Sequence, residues 1–500
     1  MQEELTNYGF LSVLPPVIAI IIAIWRRQVF PSLLFGIWLG YLIIHNGNLL
    51  DGTMATISGL VDVFKDAGNT RTIMFSALVG SLILLVQKSG GVSGFVHWVD
   101  NRLKNIDHGG TNKSRVLVQL AAWLTGMIIF VETSIIALTV GTIFRPIFDK
   151  MKIPREKLAY IADSTAAPIA ILIPFNAWGA FIMGLLVVEG FDNPFSTMFK
   201  AMAFNFYPML ALLLVPILII TGWDFGPMAK AEKRAKDSGK VLADNAKPMV
   251  SNELTKVEPI PGIPLRAINM LLPIMTMVLM MPVMLSYTGW EQAVAELGSS
   301  NFIKTAFFAI GKGSGSTAVL TSVLTALLVS FILYRAQKIM RFDALIESTL
   351  KGVSELMPLA LLMMLAFAIS GVCRELHTGI YVAGVAKNLI SPSLIPVIIF
   401  GISSFIAFAT GTSWGTFAIM IPIAVPMAQN LDVNVYLAIA AALSGGVFGD
   451  HSSPISDTTI ISSMASASDH IDHVKTQLPY AMTAGALAAG LFLTLGLIMH

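Results

Sequence analysis

Two aspartates, Asp450 and Asp457, stand in the stretch GDHSSPISDTTIISS (residues 449–463), among His451, several serines and threonines, and Pro454. Apolar sequence runs up to this stretch and resumes soon after it. An ionised carboxylate without a partner inside a bilayer costs about 3 kcal/mol on insertion scales. Each must be protonated, held by hydrogen bonds, or neutralised by a bound cation. A site that trades a proton for a small hard cation meets that demand. Ser and Thr hydroxyls, Asp carboxylates and freed backbone carbonyls are suitable oxygen ligands for sodium. Pro454 has no N–H to offer the carbonyl four residues back, so the Asp450 carbonyl is expected to open toward such an ion; Pro168 is expected to do the same near Ser164 and Thr165. In an unbroken helix, the seven-residue spacing would set Asp450 and Asp457 near one face. His451 reads either as a proton partner of Asp450 or as a hydrogen-bonded neighbour.

The elements that must position these groups follow from composition. The 500 residues are 55% hydrophobic and 12% charged, about half the charge of a soluble domain. The mean hydropathy is +0.75. Long apolar runs such as LSVLPPVIAIIIAIW recur, so the fold class is an all-α polytopic membrane protein bathed in membrane lipid. Cys373 is the only cysteine, which excludes an intrachain disulfide. The N-terminal MQEELTNYGF lacks the basic region of a cleaved signal peptide and is expected to be mature sequence.

Ten spans are predicted, at about 9–25, 29–45, 72–87, 158–188, 205–222, 267–285, 317–334, 353–371, 435–463 and 478–498. On this reading all 32 Lys and Arg fall in loops, 25 of them on one side. The positive-inside rule makes that side cytoplasmic and puts both termini outside. Residues 116–144 then begin and end inside, with Glu132, Thr133 and Ser134 near the middle, and residues 393–428 begin and end outside, with Thr410, Thr412 and Ser413 near theirs. Both are expected to be re-entrant helical hairpins. Residues 1–222 and 267–500 repeat one series of elements with every direction reversed, joined by a cytoplasmic linker at 223–266. ADSTAAPIA (162–170) and GDHSSPISD (449–457) match as interrupted helices in the two halves. Two inverted-topology repeats of this kind are the signature of an alternating-access transporter. Of the 30 acidic residues, only Glu132, Asp163, Asp450 and Asp457 fall well inside the apolar segments, Glu355 lying at the edge of its span.

FATGTSWGT (408–416), GGVFGDHSSPISDTTIISS (445–463), DHIDHVKTQLPYA (469–481) and, in the first half, LTVGTIFRPIFDKMKIPREKLAYIADSTAAPIAILIPF (138–175) resemble the motifs of NhaC-type sodium/proton antiporters. The resemblance implies an ion-transporter fold with two pseudo-symmetric sites in a bacterial cytoplasmic membrane, commonly as a homodimer. It implies Na⁺ and H⁺ as the transported partners and no cofactor. Asp450 and Asp457 would alternate between proton and sodium, with Thr410, Thr412, Ser413, Ser453 and Ser456 completing the shell. The first-half site would use Glu132, Thr133, Ser134, Asp163, Ser164 and Thr165. Where such relatives carry two Asp followed by Tyr, this chain has Glu132, Thr133 and Ser134, one carboxylate in place of two. The wider family includes sodium-coupled carriers of amino acids and carboxylates, so that alternative stays open.

Other classes fit less well. An intramembrane aspartyl protease would need Gly-x-Gly-Asp, and this chain has GVFGD (446–450). SDHIDHVK (468–475) lacks a further zinc-ligand pair, and GKGSGS (311–316) lacks the spacing of a phosphate loop. The reading is therefore of a transporter and not an enzyme, with no nucleic-acid partner.

Overall fold

The computed structural model describes residues 8–26, 28–103, 112–130, 132–174, 176–248, 260–298, 301–389 and 391–499. Among them, secondary structure is helical apart from one isolated bridge between Pro248 and Asp469. Among the described residues, nine helices are long and apolar enough to cross a membrane. Eight coincide with predicted spans. The ninth, Pro392–Thr410, is the first arm of the segment read as a hairpin. Of the two remaining predicted spans, Val29–Ile44 is a shorter apolar helix and 435–463 is divided into two helices. Large apolar side chains such as Ile21, Leu213, Ile217, Leu279 and Leu328 are exposed, as lipid-facing residues must be.

Twelve helices surround the candidate site. In the first half they are α1 (Asn112–Ile128), α2 (Thr133–Lys150), α3 (Arg155–Ser164), α4 (Ala167–Leu172), α5 (Ala177–Val188) and α6 (Phe206–Thr221). The 223–266 segment contributes α7 (Gly226–Ser238). In the second half they are α8 (Ile395–Thr410), α9 (Ser413–Asn430), α10 (Val435–Ser452), α11 (Asp457–Ala465) and α12 (His470–Ile498).

Each break among them has a local cause. Glu132, extended at φ −153°, N-caps α2. Gly411 ends α8 in the left-handed region at φ +70°, where an added Cβ would also lie 2.7 Å from the Ile455 carbonyl oxygen. Pro168 enters the first turn of α4, where a missing N–H costs least, and Pro454 falls between α10 and α11. Ser456 caps α11, accepting the Thr459 N–H at 3.5 Å. Asp450 and Asp457 therefore sit on separate helices, not on one face of an unbroken one.

Small residues let the broken helices pack closely. A Cβ at Gly449 would lie 2.2 Å from the Ser404 carbonyl oxygen of α8, and one at Gly126 of α1 would lie 2.2 Å from Thr165 Oγ1. Away from the site, helices Ala67–Lys88 and Phe342–Glu375 pack tightly, with Gly80 and Gly352 meeting each other's backbone.

Two expectations are corrected here. Lys and Arg are not confined to loops: Arg115 lies in α1 and Lys157 in the first turn of α3, both buried. Each is neutralised by a partner from the 223–266 segment, Arg115 by Glu232 at 2.7 Å and Lys157 by Asp224 at 2.7 Å and Glu232 at 3.2 Å. That segment is also more than a tether. Its helix α7 buries Met228, Ala231 and Ala235 and packs on α3 and α12, while Arg234 pairs with Glu156 at 2.9 Å. Part of the predicted linker, 249–259, and the N-terminal residues 1–7 lie outside the described residues.

Candidate functional site

Asp450 lies in the last turn of α10, 2% exposed. Its Oδ2 accepts a 2.5 Å hydrogen bond from Ser413 Oγ, the first residue of α9. Its Oδ1 is buried and has no hydrogen-bond partner among the described protein groups. A buried acceptor left in that state costs about 1–3 kcal/mol, and more if charged, so it calls for a proton or a cation. The Asp450 carbonyl is not open as expected: it accepts the Ser453 N–H at 3.0 Å, because the chain tightens as α10 ends.

The neighbours of Asp450 divide in two. Ser413 bonds to it directly; the hydroxyls of Ser453, Ser456 and Thr410 also have partners of their own. Ser453 Oγ donates to the Phe408 carbonyl at 2.8 Å, tying the break to the end of α8. Ser456 Oγ lies 2.9 Å from Thr458 Oγ1 as it caps α11. Thr410 Oγ1 bonds back to the Ile406 carbonyl at 2.8 Å, and the Thr412 carbonyl accepts from Thr416 Oγ1 at 3.0 Å. Asp457 opens α11 with Oδ1 accepting the Thr458 N–H at 2.9 Å, a favourable place for a negative charge at a helix N-terminus. It is exposed while Asp450 is buried, although the charges of both lie within electrostatic reach of each other.

In the first half, Glu132, Thr133 and Ser134 form a closed unit. Glu132 Oε2 accepts the Ile135 N–H at 2.8 Å, and Oε1 accepts from Thr133 Oγ1 and Ser134 Oγ, both at 3.2 Å. Asp163, wholly buried at the end of α3, is saturated with donors. Oδ2 accepts from Thr459 Oγ1 at 3.0 Å and Gln477 Nε2 at 2.7 Å, and Oδ1 accepts from Ser462 Oγ at 3.4 Å. All three donors come from α11 and α12, so a first-half carboxylate is held by second-half helices. Ser164 Oγ lies 3.2 Å from His451 Nε2. Thr165 Oγ1 turns back to the Ile161 and Ala162 carbonyls, at 2.8 and 3.2 Å.

His451 faces Asp163 rather than Asp450. Its Nε2 is 3.9 Å from Asp163 Oδ2, and its Nδ1 lies 2.7 Å from Tyr207 Oη of α6. Among the described residues, none of the four carboxylates pairs with Lys or Arg.

Sequence reasoning missed three polar residues. Gln477 gives its two amide hydrogens to Asp163 and to the His451 carbonyl, at 2.7 and 2.6 Å. Tyr207 meets His451. Asn176 donates to the Phe130 and Ala170 carbonyls at 3.1 and 2.9 Å and accepts the Gly179 N–H at 3.1 Å, pinning the α1–α2 turn to the end of α4. The available signal was the same for Asn176 and Gln477: an amide beside apolar sequence needs partners once it is buried.

The chain is similar to several known proteins. An uncharacterised protein of Haemophilus influenzae is 30% identical over 499 residues, covering 97% of this chain and 90% of its own length. The malate-2H⁺/Na⁺-lactate antiporter of Bacillus subtilis is 35% identical over 109 residues, 22% of this chain and 23% of its own length. The structure of Neisseria gonorrhoeae MtrF, which is described as illuminating a class of antimetabolite efflux pumps, shares the fold with a TM-score of 0.54 at 12% identity, covering 90% of this chain and 85% of that one. Residues 180–497 match the model of the Na⁺/H⁺ antiporter family; with a carboxylate-bearing broken helix at its centre, this multi-pass membrane protein belongs to that family.

Proposed function

We propose that the protein exchanges Na⁺ for H⁺ across the bacterial cytoplasmic membrane by alternating access, with Asp450 and Asp457 as the exchanging carboxylates. The observation that carries this reading is Asp450 Oδ1, a buried carboxylate oxygen with no protein partner where the α8–α9 turn meets the α10–α11 break. A proton or a sodium ion neutralises Asp450 equally well. The bare carboxylate is the expensive state to carry across the bilayer, so the cycle moves one ion or the other. Exposed Asp457 would receive the incoming ion, and buried Asp450 would hold it. Ser413 orients the carboxylate; Ser453, Ser456, Thr410 and Thr412 shape the break and the turn around it.

The same reading takes 1–222 and 267–500 as inverted repeats. The α1–α2 and α8–α9 pairs are then re-entrant hairpins, and the 223–266 segment lies on the cytoplasmic side. Its support is the matched series of elements, the breaks at Ala166 and Pro454, and the mutual approach of Gly80 and Gly352 in the third span of each half. The basic side chains on the α7 face support a cytoplasmic position for it by the positive-inside rule, with both termini outside, and family resemblance supports a homodimer.

The test is transport by the purified protein in liposomes. Sodium added outside should dissipate an imposed proton gradient, and apparent sodium affinity should weaken as pH falls, because protonation removes the carboxylate that binds the cation. No sodium-dependent proton movement at any pH would sink the proposal. A second reading is a sodium-coupled carrier of an organic acid or amino acid, favoured by the partial match to the B. subtilis antiporter and by the single Glu132. Under that reading, exchange in the same liposomes appears only when the solute is supplied.

A further inference from the structure

The DHIDH stretch (469–473) opens α12 and carries two histidines with no role in the site described above. Their hydrogen bonds run in a chain that can be followed donor by donor. Gln477 Nε2 faces two acceptors, Asp163 Oδ2 at 2.7 Å and the His451 carbonyl at 2.6 Å, so both of its hydrogens are committed and its orientation is fixed. Its Oε1 must then accept, and the atom 2.9 Å away is His473 Nε2, which therefore carries a hydrogen. His473 Nδ1 lies 2.8 Å from Ser463 Oγ. The same hydroxyl lies 3.0 Å from His470 Nδ1 and 2.8 Å from the Thr459 carbonyl. His470 Nε2 lies 2.6 Å from the Pro454 carbonyl, so it too carries a hydrogen.

Both imidazoles thus bear hydrogen on Nε2 and point Nδ1 at one hydroxyl. Ser463 has a single hydrogen to give. Three acceptors face that hydrogen, the Thr459 carbonyl and the two Nδ1 atoms, so with both rings neutral at least one Nδ1 lone pair faces the lone pairs of Ser463 Oγ with nothing between them. One extra proton relieves the conflict at the rings: one Nδ1–H donates to Ser463 Oγ, and Ser463 turns its hydrogen from the Thr459 carbonyl to the other Nδ1. The extra proton can change rings in one balanced step. His470 Nδ1–H passes to Ser463 Oγ as the Ser463 hydrogen passes to His473 Nδ1, leaving His470 neutral and His473 charged. The path stops at Gln477, whose amide accepts a hydrogen bond but passes no proton on.

We propose that His470, Ser463 and His473 form one unit that binds a single extra proton and serves as counter-charge to Asp163, with Gln477 as the positioning residue between them. His470 is half-buried at one end, and His473 is wholly buried at the other. The charged and titratable groups facing the unit are Asp469 and Asp472 on its own turn, Arg155 from α3 (Nη1 to the Ala467 carbonyl, 3.1 Å) with its partner Asp149 from α2, Lys247 from the linker, whose N–H reaches Asp469 Oδ2 at 2.8 Å, Asp163 from α3 and His451 from α10. The proposal stands on these contacts and is independent of which ion the protein carries.

The test is nitrogen-15 histidine NMR of the full chain in lipid nanodiscs, with the His470 and His473 signals assigned by loss in H470Q and H473Q. The wild type should show the two rings titrating together, taking up one proton between them. S463A should uncouple the two curves and lower the first proton affinity about tenfold; S463T, which keeps the hydroxyl, should restore both. Q477L should leave the rings coupled to each other but lower their proton affinity about threefold, because the tie to Asp163 is cut. Independent curves in the wild type, or curves unchanged by S463A, would overturn the proposal. If S463A does not fold, an unchanged His473 curve in H470Q overturns it equally.

Discussion

Asp163 and Asp450 each lie in the last turn of a helix that breaks near a proline, and both are buried. Their surroundings differ. Asp163 accepts three hydrogen bonds from side chains of the other half, whereas Asp450 accepts one and leaves an oxygen bare. The same contrast holds between the helix starts nearby: Glu132 is closed on its own cap with Thr133 and Ser134, while Asp457 takes one backbone N–H and stays exposed. A carboxylate supplied with fixed donors keeps one charge state, and one that lacks them can change. The two regions thus differ in chemistry: Asp163 is anchored by its donors, and Asp450 is left with an oxygen that a proton or cation can take, as the proposed exchange requires.

Five variants break or sharpen that contrast. The largest effect belongs to Asp450→Asn, which keeps the shape and removes the exchangeable charge. Sodium-driven proton movement in liposomes should fall about 100-fold or more, the scale of losing a positioned proton-transfer group, and Asp457→Asn should approach the same loss. Wild-type rates in both variants at every pH would make these aspartates structural. Gln477→Leu takes one charged hydrogen bond from Asp163 and should lower stability by about 1.5–3 kcal/mol. Thermal unfolding in detergent measures this, and an unchanged midpoint would show that Asp163 does not depend on its donors. Ser413→Ala removes the one donor Asp450 has; sodium affinity should weaken about tenfold with folding intact, and an unaltered affinity would move the ion away from α9. The smallest effect is expected for Glu132→Gln. It retains a capping oxygen and should cost about 1 kcal/mol or less of stability, with transport within about threefold of wild type. Abolished transport in that variant would return Glu132 to the exchanging set.

The prediction for Asp450 carries a sign in pH. Protons compete with sodium for the same oxygen, so the wild-type sodium dependence should shift to higher concentration as pH falls, and Asp450→Asn should lose that shift. Equal sodium dependence at acid and neutral pH would separate the two ions into different sites.

Much of the fold was legible in the chain. Apolar runs marked eight of the nine long helices found among the described residues, and Pro168 and Pro454 marked breaks, because a missing N–H is a local property. The four carboxylates stood out because an acid in an apolar segment is rare and costly. Less legible was the role of each hydroxyl. Thr410, Thr165 and Ser453 looked equivalent to Ser413 as oxygen ligands, yet their hydrogens go to nearby carbonyls. A hydroxyl in a helix always has a carbonyl of its own turn within reach, and spacing does not say which partner it takes. Lys157 and Arg115 looked like loop charges because their neutralising acids lie over 60 residues away, on α7 and just before it.

What the sequence determined by itself was a membrane-embedded helical chain with broken helices and a few stranded acids, since hydropathy, proline and charge act within a turn or a span. Only the tertiary structure decided which acid is satisfied. Asp163 and Asp450 carry nearly the same local signature, and they differ because the donors for one, Thr459, Ser462 and Gln477, arrive from helices some 300 residues away. Hydrogen bonding is directional and short in range, so the chemistry of a buried carboxylate is set by what the fold brings within about 3 Å of each oxygen.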